Sequence, residues 1–352
     1  MTFQQPISTP FTAQFGSMIP SIVPGIVLSA VVAICAMAAA SLIDTVFPIP
    51  AMVIALLVGI ALNPVARQPL FQPGIMFCLK TILRVAVALL GLRIALGDIA
   101  ALGWTTAFLV IACMAVTLAS GLLFAKAFGQ RTRFGALAGA GTAVCGASAA
   151  LATSMVLPQY EGKEADVAFV VIAVNALSTA AMVLYPLLCA ALGFSEQATG
   201  VMLGATIHDV AQVVGSGYAV SEPAGNTAVI VKLFRVFLLL PVVLVIGWWF
   251  TRAKARSVAR TVPVPVFALV FIGLCTVNSF APSMAAVAPA FLQIKGPLIE
   301  ASTWGLLIAI SALGLNTSFF AIAVLGWRHA ATLCGTTAVV LLAVTAGLVL
   351  LR

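Results

Sequence analysis

The chain has 352 residues, of which 63% are hydrophobic and 7% are charged, and its mean hydropathy is +1.21. Nine acidic and seventeen basic residues are too few to coat a soluble globule of this mass, so the composition excludes a soluble domain and predicts an all-α polytopic membrane protein. The net charge of +8 is held in short basic clusters between apolar runs, without interleaved aromatic residues, and we therefore expect no nucleic acid partner.

A transmembrane helix needs an apolar run of roughly 20 residues to cross a hydrocarbon core of about 30 Å. Charged, Pro and Gly residues divide the chain into about eleven such segments, with ten as the alternative. The segment at 134–157 is left open, because it either spans fully or re-enters the membrane. In chain order the predicted spans are 19–43, 48–64, 73–95, 103–128, 134–157, 165–193, 198–219, 226–251, 263–280, 296–317 and 320–351.

The distribution of Lys and Arg predicts the orientation, because these residues are retained on the cytoplasmic side. Even-numbered spans are followed by basic residues, whereas the loops after odd-numbered spans hold most of the acids. We therefore expect a multi-pass protein of the bacterial inner membrane with a cytoplasmic N-terminus and a periplasmic C-terminus. The basic residues placed inside are Arg67, Lys126, Arg131, Arg133, Arg252, Lys254, Arg256, Arg260 and Arg328, and the charged residues placed outside are Asp44, Glu161, Lys163, Glu164, Asp166, Glu222 and Lys295.

Two segments of the chain recur in the same order. "PIPAMVIALLVGIALN" at Pro48–Asn63 matches "PVPVFALVFIGLCTVN" at Pro263–Asn278, with both prolines and the final Asn in register. "GLRIALGDIAALGW" at Gly91–Trp104 matches "GLNTSFFAIAVLGW" at Gly314–Trp327. Apolar helices resemble one another by composition alone, but the shared proline and Gly-Trp frames favour a true repeat.

Seven predicted spans separate each segment from its copy, and an odd shift reverses the direction across the bilayer. The pattern predicts one transmembrane transporter domain over 1–352, with inverted repeat elements at about 48–104 and 263–327. The segments that form the site are expected between them, at about 134–219.

The first candidate for a binding segment is "GAGTAVCGASAA" at 139–150, where small residues replace the usual large apolar ones. Each interior Gly costs a helix roughly 0.5 to 1 kcal/mol relative to Ala. The gain is either close packing of helices or a break whose backbone N–H groups bind an anion, and this segment alone leaves the two nearly even. Its candidate substrate-binding residues are Gly141, Thr142, Cys145, Gly146 and Ser148.

A second small-residue segment, "GATIHDVAQVVGSG" at 204–217, favours the break because it places His208, Asp209 and Gln212 within an apolar span. An ionisable group at the bilayer centre costs about 2.5 to 3.5 kcal/mol on insertion scales and needs a cavity, a partner or a function. We expect His208 and Gln212 to bind substrate and Asp209, with His208, to handle a coupling H⁺ or Na⁺. A neutral, hydrogen-bonded His208 is the alternative, and no other cofactor is expected.

Four bases lie at membrane depth and outnumber the acids available to neutralise them, which favours an anionic ligand. Arg84, Lys232 and Arg235 are the candidate anion-binding bases. Lys80 and Lys232 lie nearer helix ends, so their ammonium groups could instead extend to the lipid headgroups.

The motifs "GAGTAVCGASAALAT", "GATIHDVAQVVGSG", "VIVKLFRVFLLLP" and "LRVAVALLGLRI" together resemble the YeiH-type family of bacterial inner-membrane proteins, described as sulfate exporters. The resemblance covers nearly the whole chain. Asp209 stands where the family pattern leads us to expect Glu. The resemblance implies a transporter of ten or eleven helices that exports sulfate or a small sulfonate.

The leading hypothesis is a secondary transporter whose small anion sits near the bilayer midplane, between 139–149 and 204–212. Backbone amides and Ser148 would donate hydrogen bonds, and the bases would supply charge. A cation/proton antiporter is the alternative, in which Asp209 binds the ion and the bases only neutralise the carboxyl ends of half-helices. No serine elbow, zinc motif, phosphate loop or pair of catalytic carboxylates occurs, so an enzyme is not expected. Expected partners are the small anion and membrane lipids, with a homo-oligomer left open.

Overall fold

The structure is a computed structural model that describes residues 11–43, 51–251, 266–284, 288–316 and 327–351. Within these ranges every regular element is a helix and no strand occurs, which confirms the predicted all-α membrane fold. The α-helices are α1 (Phe11–Ile43), α2 (Ala51–Ala61), α3 (Asn63–Ala66), α4 (Gln72–Phe77), α5 (Leu83–Leu89), α6 (Leu96–Ala101), α7 (Gly103–Ala127), α8 (Thr132–Ala143), α9 (Ala147–Val156), α10 (Lys163–Ala191), α11 (Glu196–Thr206), α12 (Val210–Val220), α13 (Glu222–Phe237), α14 (Leu239–Thr251), α15 (Val266–Phe280), α16 (Ala288–Asn316) and α17 (Trp327–Leu350).

Eight helical stretches in the described part of the chain are long and apolar enough to cross a membrane. The predicted count of eleven is not confirmed. Two of the predicted spans, at 134–157 and 198–219, are each divided into two short helices, and the described part of a third, at 48–64, holds the 11-residue helix α2 and the short α3. The eight stretches are Pro20–Leu42, Gln72–Leu92, Gly103–Ala127, Lys163–Ala191, Glu222–Phe250, Val266–Ser283, Ala288–Asn316 and Trp327–Leu350.

Some of the sequence predictions fall outside the described residues. These are the ends of the predicted spans at 48–50, 263–265, 317 and 320–326, residues 317–326 of the repeat copy at Gly314–Trp327, Asp44, and the basic loop that holds Arg252, Lys254, Arg256 and Arg260. The prolines shared by the first pair of repeats are among them.

The chain divides into two compact units. Of the described residues, unit 1 takes in 11–43, 51–84 and 307–316, and unit 2 takes in 85–251, 266–284, 288–306 and 327–351. In unit 1, α1 packs against α2 and α4. The α1–α4 contact is close, because a Cβ atom placed on Gly25 would lie 2.7 Å from the Cα atom of Gly74.

Unit 2 holds a large apolar core to which α7 to α14 and α17 contribute. Gly121 of α7 faces Gly135 and Gly139 of α8, and a Cβ atom on Gly121 would lie 2.6 Å from the Gly139 Cα atom. Small residues let the two backbones approach this closely. The first half of the glycine-rich segment therefore packs tightly and a helix break follows it, while anion binding at the break stays a prediction.

The helices α8 and α9 form hairpin 1, which enters unit 2 and returns to the same end. The chain turns through residues 144–146, where Gly146 has φ +68°. The Arg131 guanidinium, just before α8, donates to the Glu161 carbonyl, just after α9. An unbroken helix from Thr132 to Val156 would separate its ends by about 37 Å, which that contact rules out. The predicted segment 134–157 is thus re-entrant in this structure.

The helices α11 and α12 form hairpin 2 in the same way. A Cβ atom on Gly200, early in α11, would lie 2.6 Å from the Ala224 carbonyl, and one on Gly217, late in α12, would lie 2.9 Å from the Gly225 Cα atom. Both ends of the hairpin therefore lie beside the first turn of α13. Ser195 and Ser221 cap the helices that begin there, each accepting a backbone N–H at 3.2 Å.

The two hairpins enter unit 2 from opposite ends. Hairpin 1 begins beside the first turn of α17, where the rings of Phe134 and His329 are 4.6 Å apart. Hairpin 2 begins at the other end of α17, where Ser195 and Leu348 line one open pocket of about 380 Å³. Helices α7 and α17 run the length of the unit between these ends.

The loop from 157 to 162 was predicted to lie on the opposite side from Arg131, and this prediction is wrong. Arg131 and Arg133 both stack on the Tyr160 ring, with guanidinium carbons 5.6 and 5.4 Å from its centroid. The re-entrant path of hairpin 1 brings the acidic loop back to the basic end, which positional counting of spans could not reveal.

The repeated segments make matching contacts in the two units. In unit 1, the Asn63 amide donates to the Leu315 carbonyl at 2.7 Å. In unit 2, the Asn278 amide donates to the Ile94 carbonyl at 3.2 Å. In each case the final Asn of one copy of the first repeated segment (48–63 or 263–278) binds a copy of the second repeated segment (314–327 or 91–104).

The first glycines of the two copies of the second repeated segment make the same pair of contacts with the copies of the first. A Cβ atom on Gly314 would lie 2.4 Å from the Leu56 carbonyl, and one on Gly91 would lie 2.3 Å from the Phe271 carbonyl. Leu56 and Phe271 occupy the same register position in their two segments. These paired contacts are what a repeat would produce, and whether the repeat is inverted across the membrane stays a prediction.

Candidate functional site

The tips of the two hairpins meet inside unit 2. A Cβ atom on Gly146, in the tip of hairpin 1, would lie 3.5 Å from the carbonyl oxygen of His208, in the tip of hairpin 2. Both residues are buried. The tips divide each hairpin into a first half-helix that ends there, α8 or α11, and a second half-helix that begins there, α9 or α12.

Lys232 of α13 joins the two tips through three hydrogen bonds. Its ammonium group donates to the carbonyls of Val144, Ile207 and His208 at 2.8, 3.0 and 2.5 Å. The side chain is fully buried. An ammonium group has three N–H donors, so the site uses all of them.

Arg235, one helical turn further along α13, binds the same two half-helices. Its Nη2 atom donates to the Thr142 and Ala143 carbonyls at 2.9 and 2.7 Å, and its Nε atom also reaches Ala143 at 3.0 Å. Its Nη1 atom donates to the Gly204 and Ile207 carbonyls at 3.0 and 3.3 Å. The guanidinium is fully buried.

These contacts have a simple electrostatic reason. The last carbonyls of a helix have no intrahelical partner and carry the negative end of the helix dipole. Both α8 and α11 end inside the protein, away from water, where unpaired carbonyls are expensive. Lys232 and Arg235 satisfy these carbonyls and place positive charge where the dipoles are negative.

The beginning of α12 is held by polar side chains. Asp209 caps it, because its Oδ1 atom accepts from the Ala211 N–H at 2.8 Å. The Ser178 hydroxyl of α10 accepts from the backbone N–H groups of His208 and Asp209, both at 3.1 Å. Gln212 donates to the Thr179 hydroxyl at 2.8 Å.

The beginning of α9 differs, because its capping position is held by a residue without a side chain. Gly146 occupies the capping position and Ser148, in the first turn, is exposed. The first backbone N–H groups of a helix point along its axis and attract negative charge. Of the four half-helix ends at the crossing, this one has no charged side chain bound to it, and the Cys145 thiol is the side chain that meets the Ala149 N–H.

Two buried polar atoms near the crossing have no hydrogen-bond partner, the His208 Nδ1 and the Gln212 Oε1 atoms. The other ring nitrogen of His208 lies 3.1 Å from the Thr337 hydroxyl of α17. The adjacent Thr336 hydroxyl lies 3.1 Å from that of Thr142. The crossing therefore sits in a polar shell formed by α10 and α17.

Most of the predicted site residues gather at this crossing. Ten of them lie in the two hairpins or α13: Gly141, Thr142, Cys145, Gly146, Ser148, His208, Asp209, Gln212, Lys232 and Arg235. Arg84 belongs to unit 1 and its side chain is exposed. The binding roles assigned to these residues stay predictions.

The sequence reasoning missed the supporting hydroxyls of Ser178, Thr179, Thr336 and Thr337. Their signal was small, because Ser and Thr are common in membrane helices as packing residues. It also missed a polar group at the end of hairpin 1, where His329 lies 3.4 Å from the Asp166 carboxylate. Tyr160 donates to Asp166 there at 3.0 Å, and burial together with that carboxylate raises the pKa of the phenol.

Comparison with known proteins agrees with a membrane protein. A family model described as Conserved hypothetical protein 698 matches residues 24–333. The chain belongs to this family. The membership that the motifs indicated is therefore confirmed at the level of the family.

Several relatives share most of the chain. The UPF0324 membrane protein TauZ of Paracoccus pantotrophus is 42% identical over 309 residues, which is 86% of this chain and 88% of the relative. TauZ of Paracoccus denitrificans is 43% identical over 85% of this chain and 88% of its own. A UPF0324 membrane protein of Chlorobaculum tepidum is 39% identical over 85% and 83% of the two chains. No solved structure matches the chain.

Proposed function

We propose that the protein is a secondary transporter, acting as an exporter, of a small anion such as sulfate or a sulfonate across the bacterial inner membrane. The observation that carries the proposal is the positive end of α9 at the hairpin crossing, where the capping residue Gly146 has no side chain. Two buried bases face one acid, Asp209, so the crossing has a formal charge of +1 with His208 neutral. The first turn of α9 adds the positive end of a helix dipole.

The bases act in this proposal through their field rather than by direct contact. Every polar hydrogen of the Lys232 ammonium is directed to a carbonyl, and Arg235 is similarly occupied. The anion would therefore be bound by the α9 backbone amides and the Ser148 hydroxyl. Buried positive charge behind these donors strengthens the hydrogen bonds to an anion.

The arrangement of the halves supports a transport cycle. Two re-entrant hairpins enter unit 2 from opposite ends and meet at their tips, with helix termini at the meeting point, and this arrangement would suit a site reached alternately from either end. The exchanged contacts of Asn63 and Asn278 fit a repeated architecture, and many transporters use such repeats for alternating access.

A cation/proton antiporter is the second candidate, and one observation favours it. Lys232 and Arg235 are engaged by the carboxyl ends of half-helices, which is the role that this alternative assigns to them. In that case Asp209 would bind the transported ion. Sodium or proton flux that needs no anion would then be observed in vesicles.

The test is binding of a panel of anions to the purified protein, measured by thermal shift. Sulfate, methanesulfonate, acetate and chloride are compared as sodium and as potassium salts at equal ionic strength. A ligand of the folded protein raises the melting temperature, so we expect a saturable shift that follows the anion and not the cation. A shift that follows sodium alone would favour the antiporter.

A matched pair of variants localises the binding. Ser148→Asp places a carboxylate in the first turn of α9, where the positive end of the helix dipole stabilises it and where it competes with the anion. Ser195→Asp adds the same charge at the N-cap of α11, which is exposed at the far end of hairpin 2. We expect Ser148→Asp to abolish the anion shift and Ser195→Asp to retain it. Equal anion binding by both variants would remove the α9 terminus from the site.

A further inference from the structure

We propose that the Lys232 ammonium fills a binding site for a monovalent cation, so that the protein carries this cation covalently and needs none from solution there. The donor set is three backbone carbonyl oxygens, from Val144, Ile207 and His208. These oxygens come from both hairpin tips and converge on one point.

The ligands are those that select a monovalent cation. Carbonyl oxygens replace the hydration shell of alkali ions in channels, and unwound helix ends hold Na⁺ in transporters. No carboxylate is among the three ligands, so the charge density expected of a divalent site is missing here. An ammonium ion and a potassium ion both suit such a set, since each can be surrounded by several neutral oxygens and neither needs a carboxylate among its ligands.

The three carbonyl acceptors also explain why the charge of the Lys232 ammonium group is tolerated when it is buried. The side chain is 0% exposed, and every N–H of its ammonium group has an acceptor. A free cation would have to be bound and retained at each cycle, whereas Lys232 holds the two tips together permanently. The inference concerns the cation alone and does not depend on which substrate the protein carries.

Truncation of the side chain should expose the site. Lys232→Ala removes the atoms from Cγ to Nζ and leaves the three carbonyls in place. These atoms equal n-propylammonium in length, so that ion should refill the space, and K⁺, Na⁺ or ammonium should bind the carbonyls directly. Lys126→Ala is the control, because Lys126 lies in the same unit with an exposed side chain.

The measurement is the melting temperature of the purified variants in chloride salts of Na⁺, K⁺, ammonium, n-propylammonium and choline at equal ionic strength. We expect Lys232→Ala to melt below the wild type in choline. The melting temperature of Lys232→Ala should then rise saturably with n-propylammonium and with at least one small cation. Wild type and Lys126→Ala should melt at the same temperature in all five salts.

Two outcomes would overturn the proposal. One is a Lys232→Ala variant whose melting temperature is the same in choline as in every other salt. The other is a wild type stabilised by the same cations to the same extent. Lys232→Ser is the second variant, because its hydroxyl adds a ligand in the same space. If neither variant can be purified folded from cells, whose cytosol holds potassium, the site does not accept a free cation and the proposal fails.

Discussion

The roles of Lys232 and Arg235 are defined by what they touch, which is backbone rather than ligand. Burying a charge without a partner is prohibitively expensive, so a base inside the membrane is expected to bind something negative. Here the negative partner is the carboxyl end of two half-helices, and it is built from main-chain atoms that sequence patterns do not display. Because the sequence displays the surplus of bases over acids but not these carbonyl partners, it favoured an anion in direct contact with the bases.

Arg235→Gln should therefore be a stability variant as well as a transport variant. The neutral amide can satisfy at most two of the carbonyls that the guanidinium reaches, and each buried carbonyl left unpaired costs about 1 to 3 kcal/mol. We expect a marked fall in the melting temperature of the detergent-solubilised protein. Arg84→Gln changes an exposed arginine and should have the same melting temperature as the wild type. A fully stable Arg235→Gln that has lost only anion binding would instead support direct contact with the substrate.

Asp209→Asn tests the charge balance of the crossing. The Asn oxygen can still accept from the Ala211 N–H, so the cap is kept while the formal charge rises from +1 to +2. A dianion neutralises this charge better, and we expect the affinity for sulfate relative to methanesulfonate to rise about tenfold. Dissociation constants of both anions, measured by calorimetry, give the ratio. Glu196→Gln, on an exposed carboxylate, should not change it. An unaltered ratio in Asp209→Asn would mean that Asp209 does not contribute to the field at the anion.

At the scale of elements, glycine decides how the hairpins pack. Gly204 of α11 lies against α13, where an added Cβ atom would meet the Ala228 carbonyl at 2.5 Å. Gly204→Ala should push hairpin 2 away from α13 and lower the melting temperature. Gly273 of α15 has no atom within 4 Å of such a Cβ, so Gly273→Ala should be neutral or stabilise the helix by about 1 kcal/mol. Thermal melts of the two variants side by side make the comparison, and a Gly204→Ala protein as stable as Gly273→Ala would contradict the close approach.

The elements that the sequence predicted well are those set by local composition. Apolar runs gave the long helices, and the glycines with His208 and Asp209 marked both helix breaks. The direction of the chain after each break could not be predicted, because a half-helix of ten to twelve residues is equally compatible with continuing or returning. That choice rests on non-local contacts such as Arg131 with Glu161, and a polar loop gives no sign of its partner.

At the scale of the whole molecule, the two re-entrant hairpins change which loops share a side of the membrane. If 134–157 crossed the bilayer, residues 130 and 161 would face opposite compartments. In the structure they lie at one end of unit 2, while residues 196 and 222 lie at the other. With the orientation predicted from Lys and Arg, the first pair is cytoplasmic and the second periplasmic.

Single cysteines at these four positions, in a background without the native cysteines, would decide between the two topologies. A membrane-impermeant maleimide is applied to right-side-out and to inverted vesicles. We expect Gln130→Cys and Glu161→Cys to be labelled only in inverted vesicles, and Glu196→Cys and Glu222→Cys only in right-side-out ones. Cys334, which is exposed, lies inside an apolar helix, so its removal avoids ambiguous labelling. Labelling of positions 130 and 161 from opposite sides would mean that hairpin 1 spans the membrane, and the meeting of the two tips, with every role assigned to it, would be lost.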